Sequence, residues 1–135
     1  GEQEEELKKL SKSLNIEKRT IFLGFRKDLE DLYKLADVFF FPSLQEGLSV
    51  ALLGAMASGL PVVCSNIRGN IDLIEDGKGG YIFDPMDSKG FALGLSKILE
   101  NSNDFGEYNN SVVGKFEVNK VVEVMNSIVT EVLER

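Results

Sequence analysis

The chain has no histidine and one cysteine in its 135 residues. Without histidine there is no imidazole general base and no His-ligated metal. A single thiol, Cys64, can form neither an internal disulfide nor a cysteine zinc cluster. It lies in the apolar run Pro61-Val62-Val63-Cys64, where a buried, inert thiol is expected. Such cysteine use fits a reducing cytoplasm. Positive charge is also short: 15 Lys and Arg stand against 22 Asp and Glu, a net charge of −7. No basic stripe is available to displace counterions from nucleic acid, and no polybasic anchor to hold an anionic membrane. There is no apolar run of about 18 residues, and the first residues do not read as a secretory signal. Gly1, not Met, opens the sequence, so a piece of a longer protein is expected.

What remains is an ordinary globular composition, 43% apolar and 27% charged, enough to bury roughly 70% of the unfolded surface in one domain. Glu2 to Leu14 places Leu7, Leu10 and Leu14 on one stripe of a surface helix, its Glu-rich start suiting the helix dipole. Thr20 to Leu23 reads as a short strand stopped by Gly24. Asp28 is placed to cap a helix over Leu29 to Leu35. Val38 to Phe41 reads as a strand buried on both faces, ended by Pro42. Ser49 caps a helix to about Ala57 that Gly59 ends, and Pro61 to Cys64 is a second buried strand. One helical turn over Asn70 to Ile74, a strand over Tyr81 to Phe83 and a helix from Ser88 to Leu99 follow. Two more helices are expected, over Phe105 to Lys115 and Glu117 to Glu134. Strands alternating with helices imply parallel strands and right-handed crossovers. The expected fold is therefore α/β, a partial doubly wound, Rossmann-like parallel sheet with flanking helices. A Rossmann-type half usually begins with a strand, so strands before Gly1 are expected.

In open α/β sheets, ligands bind beyond the carboxyl ends of the strands. Three loops have that position: Gly24 to Lys27, Pro42 to Gly47, and Ser65 to Asn70. The second is the most informative, because it leads from a strand into a helix. The amides of Gly47, Leu48, Ser49 and Val50 are expected to be free donors there, an arrangement that attracts an anion. Gly47 lets a ligand approach the backbone, and Glu46 is placed to accept hydrogen bonds from sugar hydroxyls. The same position also suits an acidic residue that only complements the helix dipole. Arg26, Lys27 and Arg68 read either as phosphate partners or as solvated surface charges.

The stretch from Phe41 to Val63, FPSLQEGLSVALLGAMASGLPVV, resembles the signature P-S-x-x-E-G-x-x-x-x-x-x-E-A-M-A-x-G-x-P-V-V of the group 1 retaining glycosyltransferases. Ile21 to Phe25 is similar to that family's preceding strand, and Leu32 to Val38 to its L-Y-x-x-A-D-V segment. Arg68 to Asn70, Asp72 to Ile74, Gly77 and Gly80 to Phe83 resemble its closing turn and strand. The resemblance covers about Glu5 to Glu100. It implies the C-terminal half of a GT-B architecture: residues 1–135 would form one nucleotide-sugar-binding domain, incomplete at its start, with 105–135 a helical tail. The acceptor-binding domain would lie elsewhere.

The resemblance also assigns roles. Glu46 becomes the catalytic candidate, contacting hydroxyls of the donor sugar. Gly47, Leu48 and Ser49 become donor-binding through their amides, with Phe25, Arg26 and Ser43 beside them. Position 54 is where relatives hold the ribose with a second Glu; here it is Gly54, which supplies no carboxylate. The implied reaction transfers a sugar from a nucleotide donor, a UDP-sugar first and GDP-mannose next, to a saccharide or lipid-linked acceptor in surface-polysaccharide synthesis. No metal and no cofactor is expected, in line with the absence of a D-x-D motif, and no nucleic-acid partner. The expected location is cytoplasmic, peripheral at the inner membrane face for the full-length protein. Taken alone, the chain is expected to be inactive and to self-associate through an exposed sheet edge.

Gly54 keeps a second class open, a non-catalytic Rossmann-like binding or assembly module with a degenerate nucleotide site. A glycoside hydrolase would need two carboxylates about 5–10 Å apart, and Glu46 has no evident partner in the sequence. A phosphoacceptor domain would need an Asp at the end of a central strand, where this chain has Phe41-Pro42 and Cys64-Ser65.

Overall fold

Val62–Ser65 (β2) are all buried, a state a strand tolerates only when both faces are covered and both edges are paired. Both conditions are met. In this computed structural model, which describes residues 2–100 and 105–133, β2 is the middle strand of a parallel three-stranded sheet in the order β1-β2-β3. Phe39–Phe41 (β1) lie on one side, with Phe39 opposite Val62 and Phe41 opposite Cys64. Gly80–Phe83 (β3) lie on the other, with Val62 opposite Gly80 and Ser65 opposite Phe83.

Side chains alternate along β2, and the two cores follow that alternation. Val62 and Cys64 pack with Leu52 and Met56 of α3 (Val50–Ala57), with Leu73 and Ile74, and with Val112 of α6 (Phe105–Val113). Val63 packs on the opposite face with Phe91 and Ile98 of α5 (Ser88–Glu100) and with Phe105. Helices on both faces of a parallel sheet make the expected α/β, Rossmann-like fold. Asn109 of α6 ties the layers at the start of the strands: its buried amide nitrogen donates to the carbonyls of Leu60 (2.7 Å) and Gly79 (3.0 Å).

The remaining helices are α1 (Glu4–Ser13), α2 (Leu29–Leu35), α4 (Arg68–Ile71) and α7 (Val118–Leu133), with short 3₁₀ turns at Glu17–Arg19 and Gly114–Phe116. The expected helix over Glu117 to Glu134 corresponds to α7, and Glu134 lies outside the described residues. The helical turn expected at Asn70 begins two residues earlier, at Arg68. Gly59 closes α3 with φ +76°, a conformation that costs glycine little. No helix among the described residues is long and apolar enough to cross a membrane.

Three expectations are corrected. β1 is not buried on both faces: as the outer strand of the sheet it is only partly covered, and Phe40 is 44% exposed. Thr20 to Leu23 is not a strand. Thr20 is extended, at φ −113° and ψ 122°, but β1 hydrogen-bonds only to β2, so the segment has no ladder to join. Ile21 is left 80% exposed. Phe22 lies beside α1, with Lys8 Nζ 5.9 Å from its ring centre. The apolar stripe of α1 stays about half exposed at Leu7, Leu10 and Leu14. Asp28 stands at the N-cap of α2 but caps nothing with its side chain. Arg26 takes both carboxylate oxygens, Nε donating to Oδ1 at 2.7 Å and Nη2 to Oδ2, and this fork holds the Asp28 carboxyl below its ordinary range.

Cys64 is fully buried. Burial, with the negative charge of Asp76 adding to it, pushes its thiol up to about 12, because the thiolate is disfavoured away from water. The native protein at pH 8 is therefore expected to resist Ellman's reagent and to release one equivalent of thionitrobenzoate only on denaturation. Rapid labelling of the folded chain would contradict this placement of β2.

Candidate active site

Because β1 and β2 are parallel neighbours, their carboxyl ends lie side by side, and the turns that leave them meet. The turn after β1 carries Ser43 and Glu46. Ser43 Oγ donates to Glu46 Oε1 at 2.9 Å. The carbonyl of Ser43 accepts a hydrogen bond from Ser65 Oγ, at the last residue of β2. Ser65 is in turn held by Asn70 of α4, whose Nδ2 donates to Ser65 O at 3.0 Å and Ser65 Oγ at 3.3 Å. Ser65 and Asn70 are both fully buried.

A close backbone contact fastens the two turns. A Cβ added to Gly69 would lie 1.8 Å from the carbonyl oxygen of Gly47 and 2.9 Å from that of Glu46. Only glycine lets α4 sit that near the turn. Gly47 itself is different: a Cβ there would meet nothing within 4 Å, so its outer side is open.

The turn then enters α3. Ser49 is the N-cap, its Oγ accepting from Leu52 N at 3.3 Å. Among the described residues, no hydrogen bond occupies the amides of Gly47, Leu48, Ser49 or Val50. Leu48 and Val50 are 58% and 80% exposed. Unpaired amides at a helix start favour a negatively charged or oxygen-rich ligand. Glu46 is half-buried and adds acceptors beside these donors. The surface thus offers donors and acceptors within one turn, as polyhydroxylated ligands require. Among the described residues, no cluster of three or more acidic or cysteine side chains could hold a metal.

The structure thus brings Ser43, Glu46, Gly47, Leu48 and Ser49 together. Among the described residues, no hydrogen bond or ion pair joins Phe25 or Arg26 to them. Phe25 is 89% exposed and lines a different cavity, about 810 Å³, with Glu2, Leu7 and Ile21. The charge of Arg26 is engaged by Asp28. Gly54 faces α2: a Cβ there would lie 2.9 Å from Tyr33 Cε2, and the Tyr33 hydroxyl donates to Ala51 O at 3.1 Å. The ring of Tyr33 occupies the space that a side chain at position 54 would enter.

Sequence reasoning passed over Ser65, Gly69 and Asn70 as individual residues, although it marked their loop. A Ser ending a buried strand and a Gly-Asn pair one turn later are the signals that could have found them.

Residues 1–112 match the family model described as "Glycosyl transferases group 1". The chain is 36% identical over 88 residues to the UDP-Gal:alpha-D-GlcNAc-diphosphoundecaprenol alpha-1,3-galactosyltransferase of Escherichia coli, covering 65% of this chain and 23% of that protein. Among solved structures it is similar to Anabaena HepE in complex with UDP, with a TM-score of 0.81 at 25% identity over 96% of this chain and 36% of that one. Sucrose-phosphate synthase from Thermosynechococcus elongatus shares the fold, with a TM-score of 0.86 at 22% identity over 99% of this chain and 35% of that one. The chain spans about a quarter to a third of the length of the curated relatives it matches.

Gly69 of α4 and Gly47 of the turn separate packing from openness. Gly69→Ala is expected to destabilise the fold by about 1–3 kcal/mol, as overpacking against backbone does. Gly47→Ala should stay within about 0.5 kcal/mol of the native chain. Urea unfolding followed by circular dichroism measures both, and equal losses would contradict the contact between α4 and the turn.

Proposed function

The chain belongs to the group 1 glycosyl transferases, and from that membership we propose that it is the donor-binding part of an enzyme that moves a sugar from a nucleotide-sugar to a saccharide or lipid-linked acceptor in surface-polysaccharide synthesis. One observation carries the reading: the Glu46 carboxylate stands beside the unpaired amides that open α3. The Glu46 oxygens accept hydrogen bonds from the donor sugar's hydroxyls. The amides of Gly47, Leu48 and Ser49 donate to the sugar and to the phosphate that leaves with the nucleotide. Donors fixed before the reaction stabilise the growing negative charge without having to reorganise. Anomeric configuration is retained, through an oxocarbenium-like state in which the leaving diphosphate assists the acceptor. The reading calls for no metal and no cofactor, the nucleotide-sugar being a substrate.

A UDP-sugar is the favoured donor. The Escherichia coli relative carries UDP-Gal and diphosphoundecaprenol in its name, and HepE was crystallised with UDP. Phe25 and Arg26 are assigned to the donor site by the family resemblance alone. The full-length protein works in the cytoplasm, peripheral to the inner membrane face when its acceptor is lipid-linked.

Position 54 favours a second reading, a binding or assembly module with a degenerate nucleotide site. Gly54 has no carboxylate, and Tyr33 fills the space beside it. Calorimetric titration with UDP and UDP-galactose separates the two. The donor reading expects both to bind, and Glu46→Gln to weaken UDP-galactose about tenfold, the loss of a charge-assisted hydrogen bond, while UDP changes less than twofold. Absence of binding by either nucleotide at millimolar concentration would leave the second reading. The outer edge of β1 has no strand partner among the described residues, and the chain alone self-associates through it. Size-exclusion chromatography is expected to show earlier elution as concentration rises; a constant monomer volume would refute this.

A further inference from the structure

We propose that Ser65 and Asn70 are positioning residues for Glu46, acting through Ser43. The proposal rests on the reading of Glu46 as the donor-sugar contact and adds what sets that carboxylate.

The direction of each hydrogen bond follows from chemistry. The carbonyl of Ser65 can only accept, so the Asn70 side chain must turn its Nδ2 toward it, at 3.0 Å. The same Nδ2 donates to Ser65 Oγ at 3.3 Å. With an acceptor site of Ser65 Oγ filled, the hydroxyl proton points outward and is donated to the carbonyl of Ser43. That bond holds the backbone of the turn. The Ser43 hydroxyl then donates to Glu46 Oε1 at 2.9 Å, since a carboxylate only accepts. One acceptor site of the carboxylate is thereby filled, which sets its orientation, while Oε2 and the second lone pair of Oε1 stay open to a ligand.

The relay links segments far apart in the chain, 22 residues separating Ser43 from Ser65. It starts from residues that are fully buried. Asn70 Oδ1 has no hydrogen-bond partner within the described structure. Here the amide nitrogen is the useful half of the side chain. The contact of Gly69 with the Gly47 carbonyl keeps α4 at the distance the relay needs.

A structural role and a positioning role predict different losses. If Ser65 and Asn70 merely held the fold, their removal would weaken every ligand alike. If they aim Glu46, the loss falls on the sugar. The test is titration of the full chain with UDP-galactose and with UDP. Ser65→Ala is expected to weaken UDP-galactose about tenfold, by misplacing one charge-assisted contact, and UDP less than twofold. In a Glu46→Gln background the same substitution should have no further effect on UDP-galactose. Equal losses for both ligands, no loss for either, or an undiminished effect in the Glu46→Gln background would overturn the relay. Should Ser65→Ala fail to fold by circular dichroism, Ser65→Cys, which keeps the side chain's shape and weakens the bond to the Ser43 carbonyl, carries the same test with the same outcomes. A native chain that binds neither nucleotide would refute the donor reading and this proposal together. Native binding with unselective variants would refute the relay alone.

Discussion

Everything in this fold leans on the demand that β2 be enclosed. Its four residues are buried, so its peptide groups must find partners in β1 and β3, and its side chains must be covered on both sides. Parallel pairing then has a geometric consequence. It brings the carboxyl ends of β1 and β2 to the same rim, and each strand must leave that rim by a turn into a helix. The candidate site is the place where two such turns touch.

The two ends of the sheet are held by polar side chains with different tasks. At the amino end, Asn109 bonds the carbonyls of Leu60 and Gly79, a bracing contact between α6 and the loops that precede β2 and β3. At the carboxyl end, Asn70 and Ser65 bond toward the turn that holds Ser43 and Glu46. Each asparagine leaves its Oδ1 unpaired within the described structure. Such an acceptor costs stability where water is excluded, so in both places the donated bonds outweigh the loss. Ion pairs contribute little by comparison. Those of Lys8, Arg26, Lys34 and Lys78 lie on the surface, where solvent screens them.

Much of the architecture was legible in the chain. Apolar runs at Val38 to Phe41 and Pro61 to Cys64 announced strands, but only the second is buried on both faces, Phe40 of β1 being 44% exposed. Ser49 and Gly59 marked the ends of α3, and both work there as caps. The failures have one cause. Thr20 to Leu23 has strand composition but no edge to pair with, since β1 bonds only to β2. Asp28 has a capping residue's identity and position, yet Arg26, two residues away, claims its carboxylate. In each case a local preference lost to a partner that the preference itself does not name.

The site divides along the same line. Glu46, the amides from Gly47 to Ser49 and their place between strand and helix follow from the sequence by itself, because turn chemistry and helix ends are set by neighbours a few residues apart. Which residues meet that turn was decided by tertiary structure alone. Ser65 reaches Ser43 across 22 residues, Gly69 seats against Gly47, and Tyr33 closes over Gly54. The physical reason is reach. A propensity or a periodic pattern records only what a residue does to its own segment, whereas hydrogen bonds and close contacts between segments exist only after the sheet has chosen its strand order.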